Sequence, residues 1–114
     1  LYAQQGNVDA QYKFARSYEF GLRGVKRDFK EALRLYKVYA QQGNTEAQLR
    51  IARCYAEGDC DLKQDEKEAF RLYKHYAQQG NQKAQHNVAN CFEHGRGVKQ
   101  DFKEAMRLYK HYAE

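Results

Sequence analysis

The chain has 114 residues, of which 42% are hydrophobic, and this composition suits one small domain with a thin core. Lysine and arginine outnumber aspartate and glutamate by 20 to 15, a formal charge of +5 that is moderate for a nucleic-acid binder. No apolar run approaches the roughly 20 residues that cross a bilayer, and no signal-peptide pattern is visible. We therefore expect no membrane insertion and a cytoplasmic location.

The hexapeptide Tyr-Ala-Gln-Gln-Gly-Asn occurs at residues 2–7, 39–44 and 76–81, at a fixed spacing of 37 residues. A fixed period of this length is typical of a stacked array of helical repeats. The period defines repeats at residues 7–43, 44–80 and 81–114, with residues 1–6 as the remnant of a preceding repeat. Each repeat buries its apolar face only against its neighbours, so we expect exposed apolar ends and end-to-end self-association.

The first segment of each repeat is predicted to be a helix with an apolar stripe at i, i+4 and i+8. The stripes are Ala10, Phe14 and Tyr18; Ala47, Ile51 and Tyr55; and Ala84, Val88 and Phe92. An asparagine precedes each helix as a candidate N-cap, and the glycine before it suits the left-handed end of the previous helix. These Gly-Asn pairs are Gly6-Asn7, Gly43-Asn44 and Gly80-Asn81.

A glycine-containing loop leads into the second helix of each repeat, which begins at an aspartate followed three positions later by a glutamate. These pairs are Asp28 and Glu31, Asp65 and Glu68, and Asp101 and Glu104. Recurrence at three helix starts favours a capping box over paired catalytic carboxylates. Alanine, leucine and tyrosine at helical spacing then predict a wide buried face, which continues through Met106 in the third repeat.

Three cysteines, Cys54, Cys60 and Cys91, lack the close spacing of zinc ligands, so we interpret them as reduced thiols. A zinc site that adds His94 to them can be drawn, but it lacks tight ligand pairs. The chain has no nucleophile beside a base, no phosphate-binding glycine loop and no metalloprotease pattern. We expect no catalysis, no metal and no cofactor.

The repeat Ala-x-x-x-Tyr-x-x-Gly-x-Gly-Val-x-x-Asp-x-x-x-Ala-x-x-x-Tyr resembles the Sel-1-like repeat family, which is related to the tetratricopeptide repeats. The third repeat matches best, from Gly95-Arg96-Gly97-Val98 to Asp101 and Ala105. In the second loop Asp61 replaces a glycine, and aspartate tolerates the left-handed backbone. The resemblance implies an all-α, right-handed superhelix that serves as an adaptor or scaffold in protein complexes.

A disulfide-rich branch of the same family is credited with binding penicillin-like compounds, and its members carry a cysteine pair in each repeat. This chain lacks that pattern. A β-lactam-binding enzyme is therefore the least supported of the alternatives.

Nine cations recur at i, i+4 and i+7 on the second helices, and we call them the basic ladder. The basic ladder consists of Lys30, Arg34, Lys37, Lys67, Arg71, Lys74, Lys103, Arg107 and Lys110. A solvated convex face is the interpretation we prefer. The alternative is a surface that binds nucleic acid or another anionic partner.

On the first helices, the residues opposite the apolar stripe differ from repeat to repeat. In an α-solenoid, the first helix of each repeat ordinarily lines the concave groove. We predict that a protein or peptide segment with acidic groups binds there, held by Arg16 and Arg53 and by apolar anchors such as Leu49. The alternative is simple drift of unconstrained surface positions. The predicted groove consists of Tyr12, Lys13, Arg16, Phe20, Leu49, Arg50, Arg53, Glu57, His86, Asn90 and His94.

Overall fold

Six helices follow one another in a computed structural model that describes residues 7–114. They are α1 (Val8–Phe20), α2 (Phe29–Gln41), α3 (Thr45–Glu57), α4 (Glu66–Gln78), α5 (Gln82–His94) and α6 (Phe102–Ala113). The predicted all-α fold is confirmed, with helix pairs α1–α2, α3–α4 and α5–α6 as the first, second and third repeats. Gly6 and the predicted remnant at residues 1–6 lie outside the described residues.

The chain divides into two compact units, one ending at Ile51 and the other beginning at Ala52, so the boundary falls within α3. In the first unit α1 packs against α2. In the second unit α5 packs against both α4 and α6. None of the helices within residues 7–114 has the length and apolar character of a bilayer-crossing segment.

The second helix of every repeat begins at the predicted aspartate cap. In α4 the Asp65 side chain accepts a 3.0 Å hydrogen bond from the Glu68 amide. A capping box would also have the Glu68 carboxylate accept a hydrogen bond from the Asp65 amide. Instead, the Asp65 amide donates across the loop to the carbonyl of Tyr55, and the Glu68 carboxylate binds Arg71. Asp28 and Asp101 cap α2 and α6 in the same way. The caps therefore fix the loops as well as the helix starts.

Left-handed residues shape the loops, and one glycine is required by a close approach. A Cβ atom on Gly97, at φ 74°, would lie 2.0 Å from the carbonyl oxygen of Glu66 at the start of α4. Asp61 has φ 61°, which confirms that aspartate sustains the turn where a glycine is missing. Gly43 and Gly80 also have positive φ, as predicted for the residues between helices.

The predicted apolar stripe is correct for α3 and α5, where Ile51 and Val88 are buried, but wrong for α1. Phe14 is 47% exposed and packs edge-on against Tyr18, with ring centroids 5.4 Å apart. The buried residues of α1 are instead Ala15, Ser17 and Glu19. The buried face of the second helices is confirmed at Ala32, Leu35, Tyr36, Ala69, Leu72, Tyr73, Ala105 and Leu108, whereas Met106 is 67% exposed.

Candidate binding site

Three predicted groove residues lie together on α1. The guanidinium of Arg16 lies 5.8 Å from the ring centroid of Tyr12 and 5.4 Å from that of Phe20. Each cation–π contact at an exposed site stabilises by about 0.5–1 kcal/mol. Lys13, on the same helix, pairs with Asp9 at 3.2 Å. The arrangement holds Arg16 extended over aromatic surface while its charge faces solvent.

Of the next two predicted groove residues, Leu49 is buried and Arg50 is largely buried, so the prediction of an exposed Leu49 is wrong. Leu49 is 8% exposed because α3 buries residues on more than one of its faces. Arg50, predicted at the edge of the groove, instead turns inward and forms an ion pair with Glu19 of α1. Neither side chain is presented to solvent as an anchor for a ligand.

Glu19 and Tyr36 of the first repeat and Arg50 of the second form a largely buried triad. The Tyr36 hydroxyl donates a 2.6 Å hydrogen bond to the Glu19 carboxylate, and Arg50 donates to both oxygens of the same carboxylate. Burial is the main cause that raises the pKa of Tyr36, and the hydrogen bond to Glu19 is the second. The Tyr36 hydroxyl therefore stays protonated and remains a donor. One carboxylate thus connects three helices.

One repeat later, the same register holds a cavity of about 100 Å³, which we call the second-repeat cavity although residues of the third repeat also line it. Ala56, Tyr73 and Asn87 each stand 37 residues after Glu19, Tyr36 and Arg50, and all three line this cavity. The carboxylate of the first repeat is replaced by a methyl group, which leaves space in front of Tyr73. The remaining lining residues are Arg53, Glu57, Glu66, Ala69, Asn90, Cys91 and Arg96.

Cations, amides and a phenol surround the cavity. Arg53 lies 3.8 Å from Glu57, and Arg96 lies 3.2 Å from Glu66, with all four side chains partly exposed. Burial raises the pKa of Tyr73 to about 12, so its hydroxyl stays protonated and able to donate at neutral pH. The cavity is therefore lined by several donors suited to an anionic oxygen ligand.

The third repeat restores the carboxylate that the second lacks. Glu93 stands 37 residues after Ala56, and it accepts a 2.9 Å hydrogen bond from the Tyr109 hydroxyl. His86 lies beside the Tyr109 ring, and His94 lies 3.9 Å from Glu93. Neither of these predicted groove residues lines the cavity. Among the predicted groove residues, Arg53, Glu57 and Asn90 are the ones that line it.

Sequence reasoning missed Ala56, Tyr73, Asn87 and Arg96 as site residues. Aligning the repeats at their spacing of 37 residues could have drawn attention to this site. The aligned position holds Glu19, Ala56 and Glu93, so the second repeat lacks a carboxylate that the other two have.

Each arginine of the basic ladder is paired within its own helix. Arg71 donates two hydrogen bonds, of 2.8 and 2.6 Å, to the two carboxylate oxygens of Glu68. The same bidentate pair joins Arg34 to Glu31 and Arg107 to Glu104. Three of the nine cations therefore already have an anionic partner, which weakens the basic ladder as a phosphate-binding surface.

Comparison with known proteins shows what the chain is similar to. The sequence profile described as the Sel1 repeat matches residues 8–44, 45–81 and 82–110. No curated protein sequence matched the chain. Among solved structures, a Sel1 repeat protein from Oxalobacter formigenes is 29% identical with a TM-score of 0.75, covering 94% of this chain and 43% of that one.

A second solved structure is a protective antigen present in uropathogenic Escherichia coli strains that displays an SLR fold. It is 31% identical to this chain with a TM-score of 0.76, and the match covers 97% of this chain and 23% of that one. The chain thus spans less than half the length of either of these two solved proteins.

Proposed function

We propose that this chain, which belongs to the Sel1 repeat family, is a non-catalytic protein-interaction module that binds an acidic group of a partner protein or peptide in the cavity of the second repeat. Proteins of this family are generally protein-interaction modules. The observation that carries the proposal is the register of the cavity, because it occupies the place that the Glu19 carboxylate fills in the first repeat. A ligand carboxylate there would take the position of the missing side chain.

The size of the cavity limits what can enter it. Its volume of about 100 Å³ is too small for a whole peptide segment. That space suits the carboxylate of an aspartate, a glutamate or a chain terminus, with the rest of the partner lying outside. Recognition is then centred on one anchor side chain, as in many interfaces where few residues carry most of the binding energy.

The donors around the cavity favour a carboxylate over a neutral group. Tyr73 can donate to the ligand as Tyr36 donates to Glu19. Arg53 is only loosely paired with Glu57, at 3.8 Å, and partly exposed pairs of this kind contribute about 0–1 kcal/mol. Arg53 can therefore exchange Glu57 for a ligand carboxylate and form a stronger charge-assisted hydrogen bond there.

The lining of the cavity has little net charge, because it carries two arginines and two glutamates. Arg53 and Arg96 are balanced by Glu57 and Glu66, so the cavity has little net charge to attract acidic partners from a distance. Selection depends instead on short-range contact inside the cavity. We therefore expect binding to depend on the position of the acidic residue in the partner and only modestly on ionic strength.

A single substitution tests the proposal by refilling the cavity. Ala56→Glu places a carboxylate beside Tyr73, as Glu19 and Glu93 stand beside their tyrosines. Peptide arrays in which each aspartate or glutamate is compared with its amide isostere serve as the probe. We expect the unchanged chain to prefer the acidic peptides, and Ala56→Glu to weaken that binding at least about tenfold, a change of about 1.4 kcal/mol.

The matched control is Glu93→Ala, which removes the equivalent carboxylate of the third repeat and leaves the second-repeat cavity unchanged. Circular dichroism confirms that both variants are folded. Undiminished binding of acidic peptides by folded Ala56→Glu would refute the proposed site. Absence of any preference for acidic over amide peptides in the unchanged chain would refute the proposed ligand class.

The alternative partner, a nucleic acid on the basic ladder, gives a different result in the same format. Phosphate-driven binding loses affinity steeply as salt rises, and it would not respond to Ala56→Glu. Capture from a lysate that disappears with nuclease and is unchanged by Ala56→Glu would favour the basic ladder over the cavity.

A further inference from the structure

Two thiols of the second repeat lie in contact. The Sγ atoms of Cys54 and Cys60 are 3.1 Å apart, and both side chains are buried. Cys54 lies in the last turn of α3, and Cys60 lies in the loop that follows. Neither thiol lines the second-repeat cavity.

The backbone of the loop brings Cys60 back to the helix. Gly58 ends α3 at φ 74°, and the Asp59 amide donates a 2.9 Å hydrogen bond to the Cys54 carbonyl. Cys60 itself has φ 58°, followed by Asp61 at φ 61°. A left-handed conformation at a residue other than glycine costs about 1–2 kcal/mol. The loop therefore holds Cys60 in an unfavourable backbone state that places its side chain against Cys54.

The first repeat shows that this contact is a property of the loop and not of cysteine alone. Ser17 and Arg23 stand 37 residues before Cys54 and Cys60, and Arg23 is also left-handed, at φ 56°. Its guanidinium donates a 3.1 Å hydrogen bond to the Ser17 hydroxyl. The same two backbone positions thus bring their side chains together in both repeats, with different chemistry in each.

The third repeat provides an internal comparison. Its loop is one residue shorter, and Cys91, in the register of Cys54, has no cysteine at the position facing it. Instead Cys91 lines the cavity, and burial raises its pKa to about 11. Cys91 is therefore a thiol of similar burial that lacks a neighbouring cysteine in its own loop.

We propose that Cys54 and Cys60 are a reversible dithiol–disulfide pair, oxidised by hydrogen peroxide and reduced by a dithiol. A disulfide has an S–S bond of about 2.05 Å, so the two sulfur atoms must approach by about 1 Å. The contact already present in the fold makes this bond the favoured product of oxidation. The inference does not rest on the proposed function.

The reaction balances in two steps. One thiolate attacks a peroxide oxygen, the O–O bond breaks, and a sulfenic acid and one water form after proton transfer. The neighbouring thiol then attacks the sulfenic sulfur and expels the second water as the disulfide forms. In total two thiols and one peroxide give one disulfide and two waters. A dithiol reductant reverses the change by thiol–disulfide exchange and is itself oxidised.

Mass spectrometry of the folded chain tests the proposal. The chain is treated with stoichiometric hydrogen peroxide and then unfolded in urea, so that all remaining thiols can be alkylated. Digestion with trypsin leaves both cysteines in the peptide of residues 54–63. We expect that peptide to lose two hydrogens and to escape alkylation, while the peptide of residues 84–96, which holds Cys91, is alkylated. When the peptide of residues 54–63 is also cleaved after Glu57, the disulfide should hold its two fragments together until a dithiol is added.

The matched control is Cys54→Ser with Cys60→Arg, which recreates the Ser17–Arg23 pair of the first repeat. Oxidation should raise the thermal unfolding midpoint of the unchanged chain, a dithiol should restore it, and the control variant should show neither effect. Full alkylation of both cysteines after peroxide treatment would overturn the proposal, as would disulfides that join Cys91 or separate chains with equal yield.

Discussion

The Tyr36 hydroxyl donates a 2.6 Å hydrogen bond to the carboxylate of Glu19, a side chain that is 2% exposed. Arg50 binds the same carboxylate from α3. A buried charge is tolerated in a small helical protein when it is paired and hydrogen-bonded in this way. The triad shows how a carboxylate is held at the position that the cavity occupies one repeat later.

Removing the carboxylate of the triad should strongly destabilise the fold. Glu19→Ala leaves the largely buried guanidinium of Arg50 without its partner, and the loss of one member of such a pair costs about 3–5 kcal/mol. Urea unfolding followed by circular dichroism measures the change. Glu93→Ala is the control, because its carboxylate is 38% exposed, and we expect a loss of about 1 kcal/mol or less. Equal losses for the two variants would contradict this account.

Substituting Gly97 should disrupt the packing of the third loop on α4. Gly97→Ala adds a Cβ atom 2.0 Å from the Glu66 carbonyl oxygen, on a left-handed backbone, and we expect a loss on the order of 3 kcal/mol in the free energy of unfolding. Gly24→Ala is the matched control. Its φ is similarly positive, but no atom lies within 4 Å of the added Cβ, so only the strain of about 1 kcal/mol applies. A Gly97→Ala variant as stable as the control would show that the loop does not pack so closely.

The ion pairs within the second helices predict a pH dependence. The hydrogen bond from Arg71 lowers the pKa of Glu68, so this pair contributes stability above the ordinary glutamate pKa of about 4.3 and loses it as the pH falls through the lowered value. Arg71→Ala should return the pKa of Glu68 to its ordinary range. Titration of the side-chain carboxyl ¹³C shifts measures this, with the Glu104–Arg107 pair as the unchanged reference. Identical titration of Glu68 in both proteins would contradict the pairing.

The exposed apolar face of α6 predicts self-association. Met106 is 67% exposed and Phe102 is also exposed, whereas Phe70, in the register of Met106, packs edge-on against Phe92 of α5. Sedimentation velocity should detect association that grows with concentration and weakens in Met106→Glu. Lys103→Ala, an exposed substitution on the same helix, is the control. A concentration-independent monomer for the unchanged chain would contradict the expectation.

The repeats, the helices and the aspartate caps of the second helices could be predicted from the amino-acid sequence. The hexapeptide recurs every 37 residues, and this period defines the repeats. Aspartate at three helix starts and glycine or aspartate in the turns act over a few residues, so local rules suffice to predict the caps and turns. The same rules predicted the left-handed turn at Asp61. Arg53, Glu57 and Asn90, which belong to the predicted groove, line the cavity.

The burial of the first-helix side chains and the contacts that they make depend on how the helices pack together. Leu49 and Arg50 read as surface residues from helical periodicity alone, yet α3 buries more than one face, and Glu19 supplies a carboxylate from a helix 31 residues away in sequence. The cavity beside Tyr73 and the contact of Cys54 with Cys60 likewise depend on how helices and loops meet. Periodicity assigns a residue to a face of its own helix, but burial and chemistry depend on the residues that other helices place against that face.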